Sequence, residues 1–290
     1  MKYAIIGNGY IGNYLNKILD DSMLIEGRYD DYLSIQMLLY NHPNAIIINA
    51  AGTTGRPNID WCESNKSKTV MGNILLPVMI AEECERQKRY WINIGSGCIY
   101  TGYEKEWTED DEPNFDASFY SLTKKISQKI VNEYPYSCTL RIRMPIDPEM
   151  DDRCLITKLL DYAKKGNPII SGVRNSMTYL DDLANIIEFV SNNKLEGTFN
   201  AVNTGALSAG ELLDIYKEFV DPSVTYNTMS YDDLMAKGYI KSSRSNCILS
   251  MNKLEEKGYE TVNIFDRIID VMNYIKYKKN LHDIYNPLVK

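Results

Sequence analysis

Four short apolar runs, at residues 3–6, 45–48, 90–94 and 138–142, punctuate the first half of the chain, and none alternates as a strand with one wet face would. Such isoleucine-rich runs predict parallel strands covered on both faces. Between them apolar residues recur every three or four positions over 11–19, 32–39, 68–87 and 119–131, the spacing of amphipathic helices. Strand and helix in alternation predict an α/β fold, a Rossmann-type doubly wound parallel sheet. After Pro145 the rhythm changes, because Pro148, Gly166-Asn167-Pro168, Gly197, Gly205 and Pro222 cut the chain into shorter pieces. The first domain is therefore placed at 1–145, with 172–200 packing back on it through a helix at 180–190. A smaller C-terminal lobe takes 146–171 and 201–290, with helices at 156–164, 209–219 and 264–277. Residues after Lys278 are expected to form a loosely held tail.

Charge and cysteine usage narrow the function classes. Lys and Arg number 32 against 39 Asp and Glu, giving a net charge of -7 with no basic run, so neither a nucleic acid nor an anionic membrane is an expected partner. No apolar stretch reaches the ~18 residues of a membrane span, and no basic leader precedes the first strand. A cytoplasmic protein is expected. The six cysteines lack CxxC spacing and His42 and His282 lie far apart, so no metal site is predicted. In a reducing compartment the cysteines other than Cys98 read as small buried hydrophobes.

Gly7-Asn8-Gly9-Tyr10-Ile11-Gly12 follows the first strand directly and opens the first helix, the context in which a GxGxxG pattern signals a dinucleotide. Glycines let the backbone approach a pyrophosphate, and the helix N-terminus offers it free N–H groups and partial positive charge. Glu26 stands where an acid would hold the ribose 2′-hydroxyl of NAD, whereas Arg28 beside Gly27 suits the 2′-phosphate of NADP. The guanidinium favours NADPH, with NADH the alternative carried by Glu26. Asn49-Ala50-Ala51-Gly52 ends another strand with small residues, suiting a backbone that passes under the cofactor.

The chemistry is expected at Ser96-Gly97-Cys98 and Tyr120-Ser-Leu-Thr-Lys124. If the strand stays extended, Ser96 and Cys98 point to one side at its carboxyl end, where open sheets place ligands. Tyr120 and Lys124 share a helix face, so the ammonium is expected to lower the phenol's pKa and orient a nicotinamide ribose. Ser96 would hydrogen-bond a substrate carbonyl that Tyr120 protonates. This is the chemistry of carbonyl reduction.

With those residues in hand, the chain resembles the extended short-chain dehydrogenase/reductases, and among them the bifunctional UDP-4-keto-6-deoxyglucose 3,5-epimerase/4-reductases of UDP-L-rhamnose synthesis, relatives of the dTDP-4-dehydrorhamnose reductases. The resemblance covers nearly the whole chain. It is carried by Ala50-Ala-Gly-Thr-Thr-Gly-Arg-Pro-Asn-Ile-Asp-Trp-Cys-Glu63, Gly97-Cys-Ile-Tyr100, Pro113-Asn-Phe115, Ser118-Phe-Tyr-Ser121 and Thr139-Leu-Arg-Ile-Arg-Met-Pro-Ile146. Ile156-Thr-Lys158, Asn175-Ser-Met-Thr178 with Leu180-Asp181, and Arg244-Ser-Asn246 extend it.

The resemblance implies two stages on a nucleotide-linked 4-keto sugar. Cys98 and Lys158, matched by motif, exchange the protons on C3 and C5, and NADPH-dependent reduction with Tyr120 then fixes the L-configured product. It also implies substrate contacts from Gly55, Arg56, Ser96, Cys98, Asn175 and Arg244, and a separate 4,6-dehydratase that supplies UDP-4-keto-6-deoxyglucose. Dehydratases of this class carry an Asp-Glu pair where Gly97-Cys98 stands, so dehydration is not expected of this chain. A homodimer through the 68–87 and 119–131 helices follows by analogy. Two departures stand out: the glycine loop is one residue shorter than the family's usual form, and Ser250 replaces an aspartate. Two other readings stay open, a 4-ketoreductase without epimerase activity and a non-catalytic NADP-binding regulator. Cys98 separates the first from the epimerase, and the Ser96, Tyr120, Lys124 set separates the second from any enzyme.

Overall fold

The computed structural model describes residues 1–285, with side chains to Leu281. Its centre is a six-stranded parallel sheet built from β1 (Tyr3–Ile6), β2 (Ser22–Ile25), β3 (Ile46–Asn49), β4 (Trp91–Ser96), β5 (Ser137–Ile142) and β6 (Gly197–Asn200). The spatial order is β2-β1-β3-β4-β5-β6, with Tyr3 opposite both Ser22 and Ile46 and Trp91 opposite Ser137. Strand period explains why the apolar runs do not alternate. Tyr3, Ile5, Ile48, Ile92 and Ile94 feed one core, shared with the helices Tyr10–Ile18 and Leu180–Asn192, while Ala4, Ile6, Ile47 and Trp91 feed another under Tyr32–Asn41 and Leu76–Arg86. The doubly wound sheet is the architecture expected from the pattern.

The order reverses between β1 and β3, so their carboxyl ends splay apart and open a crevice. Gly7 leaves one strand and Ala50-Ala51-Gly52 leaves the other, directly across it. A third apolar cluster joins Met177, Tyr179 and Leu207 to the helices Leu155–Lys164, Ala209–Phe219 and Ile264–Tyr285. The last helix continues past Lys278, where a loose tail was expected, to Tyr285. The remainder of that expected tail, 286–290, lies outside the described residues. Among the described residues no helix is long and apolar enough to cross a membrane.

The helix read over 68–87 is interrupted. Lys66–Val70 runs into a π-turn, Met71–Leu75, before Leu76–Arg86 resumes regular helix. Pro77 has no N–H to offer Asn73 four residues earlier, and the wider turn accommodates the loss. The Asn73 side chain accepts from Thr53 N at 2.7 Å and donates to Thr53 O at 3.0 Å and Thr123 Oγ1 at 3.1 Å. This ties the loop after β3 to the helix Phe119–Val131.

Candidate active site

The crevice between β1 and β3 is shaped by what its glycines touch. A Cβ on Gly7 would lie 2.6 Å from Ala51 N, and one on Gly12 would lie 1.8 Å from Gly7 O, so both positions require glycine for strand and helix to approach. Gly9 faces open space. It also caps the helix Tyr10–Ile18 without any side-chain bond, whereas Asp31, Ser118, Ser208 and Ser230 cap theirs with an oxygen. Uncapped N–H groups beside a bare glycine suit a pyrophosphate. Asn13 donates to Asn8 O at 2.7 Å and Gly9 O at 2.9 Å, fixing the loop from the helix side. Tyr10 and Ile11 turn inward, Tyr10 donating its hydroxyl to buried Asp147. Arg28 is exposed just beyond β2, on the strand next to the glycine loop.

β4 delivers Ser96 to the same edge of the sheet. The chain does not stay extended to Cys98 as the alternation argument requires: the strand ends at Ser96, and Cys98 N donates to Ser96 Oγ at 3.1 Å across a tight turn. The two residues nevertheless meet at Tyr120. The helix Phe119–Val131, capped by Ser118, presents Tyr120 in its first turn and Lys124 one turn later. Tyr120 is buried with Ser96 close enough to favour its ionised form, and Cys98 is near enough to act on both Tyr120 and Lys124. Lys124 approaches Gly52, where an added Cβ would be 3.5 Å from Nζ.

Electrostatics here depart from the sequence expectation. Burial pushes the Tyr120 phenol up, Cys98 adds to it, and neighbouring Ser96 and Arg143 only partly offset the rise. Burial likewise lowers the Lys124 ammonium to about 8, with Cys98 opposing. Desolvation therefore outweighs the expected help from Lys124, and Tyr120 is held protonated, the form a proton donor needs.

A second group of cations faces this edge from the smaller lobe. Arg153, which the sequence reading passed over, donates Nη1 to Gly55 O at 2.8 Å and Nη2 to Thr54 Oγ1. Gly55, at φ +72, leaves room for Trp61, whose Cβ would be 2.4 Å from an added methyl group. Exposed Arg56 follows it. Lys158, on the helix Leu155–Lys164, is half-buried, and burial with Arg153 and Arg56 lowers its amine to about 8 against the opposing pull of Cys154 and Asp151.

Comparison with known proteins places this geometry. Residues 8–230 match the family model described as the RmlD substrate binding domain. A bifunctional dTDP-4-dehydrorhamnose 3,5-epimerase/dTDP-4-dehydrorhamnose reductase of Arabidopsis thaliana is 34% identical over 273 residues, 90% of this chain and 88% of that one. The chain belongs to the RmlD-like family. A trifunctional UDP-glucose 4,6-dehydratase/UDP-4-keto-6-deoxy-D-glucose 3,5-epimerase/UDP-4-keto-L-rhamnose-reductase of the same plant is 33% identical over 93% of this chain, which spans 41% of its length. The crystal structure of the L780 UDP-rhamnose synthase from Acanthamoeba polyphaga mimivirus superposes with a TM-score of 0.86 at 31% identity, covering 94% of this chain and 99% of that one. The Rossmann-type sheet is thus the fold of a family of enzymes.

Within this RmlD-like chain the remaining expected substrate residues are engaged in the protein itself. Asn175 is buried, its Oδ1 accepting from Arg143 and from Cys247 N at 3.0 Å and its Nδ2 donating to Asn246 at 3.2 Å. Arg244 places Nη1 on Asp60 Oδ1 at 2.8 Å and on Ser242. Burial pushes Asp60 up, but bonds from Arg244, Ser242 and Lys241 N outweigh it and hold the carboxyl at about 2. Arg244 is therefore a clamp between the Asp60–Ser64 helix and the 241–246 loop, and it also borders a groove of about 410 Å³ with Tyr103, Phe115, Tyr231 and Asn246. Arg143 is another residue the sequence reading missed. It is fully buried, donates to Gly97 O at 3.0 Å and Ser245 Oγ at 2.8 Å, and so fixes the turn that carries Cys98.

Proposed function

We propose that the protein converts UDP-4-keto-6-deoxy-D-glucose to UDP-L-rhamnose by 3,5-epimerisation followed by NADPH-dependent reduction of the 4-ketone. The observation that carries the reading is the meeting of Ser96, Cys98, Tyr120 and Lys124 at one edge of the crevice, because reduction needs the serine, tyrosine and lysine but not the thiol. The glycine loop, Ala50-Ala51-Gly52 and Arg28 fit a dinucleotide with a 2′-phosphate, and NADPH bound there supplies hydride for C4.

The chain's own residues do the rest. Protons on C3 and C5 are acidic because they lie alpha to the ketone. Cys98 and Lys158 exchange them, one removing a proton and the other returning one with inverted configuration. Tyr120, kept protonated by burial, gives its proton to the C4 oxygen while Ser96 holds that oxygen. Reduction removes the ketone and ends epimerisation. Arg56 and Gly55 contribute at the diphosphate end of the sugar nucleotide, and the 4-keto substrate comes from a separate 4,6-dehydratase. The names of the relatives support this reading, one pairing epimerase with reductase and another naming the UDP-linked sugar. A ketoreductase acting alone gives NADPH oxidation only with a sugar already epimerised, and a non-catalytic regulator gives neither reaction. The test is incubation of UDP-4-keto-6-deoxyglucose in deuterated water: deuterium at C3 and C5 without NADPH, and UDP-L-rhamnose with it, are expected from the wild type.

A further inference from the structure

Lys158 presents a chemical problem that the proposed function leaves open. A lysine at its ordinary pKa is almost wholly protonated near pH 7 and exchanges protons poorly in one of its two directions. Its surroundings address this. Lys158 is the fourth residue of the helix Leu155–Lys164, and helical side chains lean back toward the N-terminus, which here begins at Cys154 immediately after Arg153. Arg153 cannot swing away, because its guanidinium is fastened to Gly55 O at 2.8 Å and to Thr54 Oγ1 on the loop leaving β3. That loop carries Arg56 in the next position.

We infer that Arg153 is a positioning residue for Lys158, a fixed cation that keeps the amine ready to take up and release a proton at the substrate's alpha carbon and joins the lobe carrying Lys158 to the loop after β3. The inference rests on the epimerase role of Lys158 proposed above. A guanidinium suits the task because it stays charged at every working pH, so its repulsion does not titrate away, and because its planar fork grips two acceptors at once. The charged and titratable groups around the amine are Arg153 and Arg56, which disfavour its protonation, and Cys154 and Asp151, which favour it; burial acts with the arginines. The balance comes out well below an ordinary lysine. Arg153 also senses Tyr120, which places this cation near both halves of the reaction.

Removing the charge should return Lys158 toward ordinary behaviour. If Lys158 removes the proton, exchange rises with pH through its titration; if it returns the proton, exchange falls through that titration. Either limb moves to higher pH when the neighbouring cation is lost. The test is the pH dependence of deuterium incorporation at C3 and C5, measured without NADPH for the wild type, Arg153→Gln, Arg153→Lys and Arg56→Gln. Arg153→Gln should move the limb up by about one pH unit; near pH 7 this lowers the ratio of epimerisation to reduction about tenfold where Lys158 removes the proton, and where it returns the proton the change shows as exchange persisting to higher pH. Arg153→Lys, which keeps a cation, should leave the limb near its wild-type place, and Arg56→Gln should shift it in the same direction by less. Arg56→Gln also tests the idea if Arg153→Gln fails to fold. Equal slowing of exchange and reduction with an unmoved limb in both Gln variants would reduce Arg153 to a structural tie and overturn the inference alone. No exchange by the wild type would overturn the epimerase reading and this inference with it.

Discussion

Lys124 and Lys158 are both half-buried amines lowered to about 8, yet they reach that value by different routes. Lys124 is lowered by burial alone and stands one turn from Tyr120 on a single helix, near the strand-end serine and the cysteine on the turn after it. Lys158 is lowered by burial and two arginines, one of them anchored on a loop that belongs to the other side of the crevice. The residues proposed for reduction thus come from one strand end and the helix beside it, while those proposed for epimerisation span two parts of the chain. The first group is carried by one strand end, the turn after it and one helix. The second depends on how the smaller lobe is held, and here the ties are polar: Arg153 to Thr54 and Gly55, Arg244 to Asp60, Tyr10 to Asp147.

The largest expected effect separates the two groups chemically. Tyr120→Phe should cut NADPH-dependent reduction by about 10²-fold or more, while deuterium exchange at C3 and C5 continues, both read by NMR. Exchange lost in parallel would mean that the two groups act as one. Cys98→Ser should do the converse, lowering exchange by about 10²-fold and sparing reduction of a sugar already epimerised.

The contrast between the groups also explains what could be read from the chain. Apolar runs covered on both faces, a glycine loop behind a strand, and Tyr120 with Lys124 at helical spacing are local signals, and each holds in the structure as an arrangement of backbone or of neighbouring side chains. What sequence could not place depends on contacts between distant segments. Asn175 and Arg244 look like ligand-binding residues by type, but one is filled by Arg143 and Cys247 and the other is paired with Asp60, more than 180 positions away. Arg141 and Arg143 carried an unused clue, since two buried charges, one in a strand covered on both faces and one just past its end, must be given partners inside. The π-turn left its trace in Asn73 and Pro77, which stand four residues apart. The lowering of the tyrosine pKa by its lysine failed because spacing reports proximity and says nothing of desolvation.

Smaller effects sharpen the comparison further. Asp60→Asn should loosen the lobe that carries Lys158 and cost about 2 kcal/mol, measured as a fall in the urea midpoint at pH 7. The Asp60 carboxyl is lowered from 3.8 to about 2, so its contribution is present in full above pH 3.8 and disappears as pH falls through about 2. The gap between wild type and variant should therefore close over that window, and a gap that persists would assign the loss to something other than the ion pair. The smallest change is expected at the cofactor end. Arg28→Ala should reduce the preference for NADPH over NADH in kcat/KM about tenfold and leave deuterium exchange untouched.

The central claim, that one chain carries both chemistries in one crevice, is tested most directly by the wild-type protein with UDP-4-keto-6-deoxyglucose in deuterated water, followed by NMR before and after NADPH is added. Deuterium at C3 and C5 in the first interval and UDP-L-rhamnose in the second are the predicted results. No deuterium at either carbon, with NADPH consumed only when an already epimerised sugar is supplied, would contradict it.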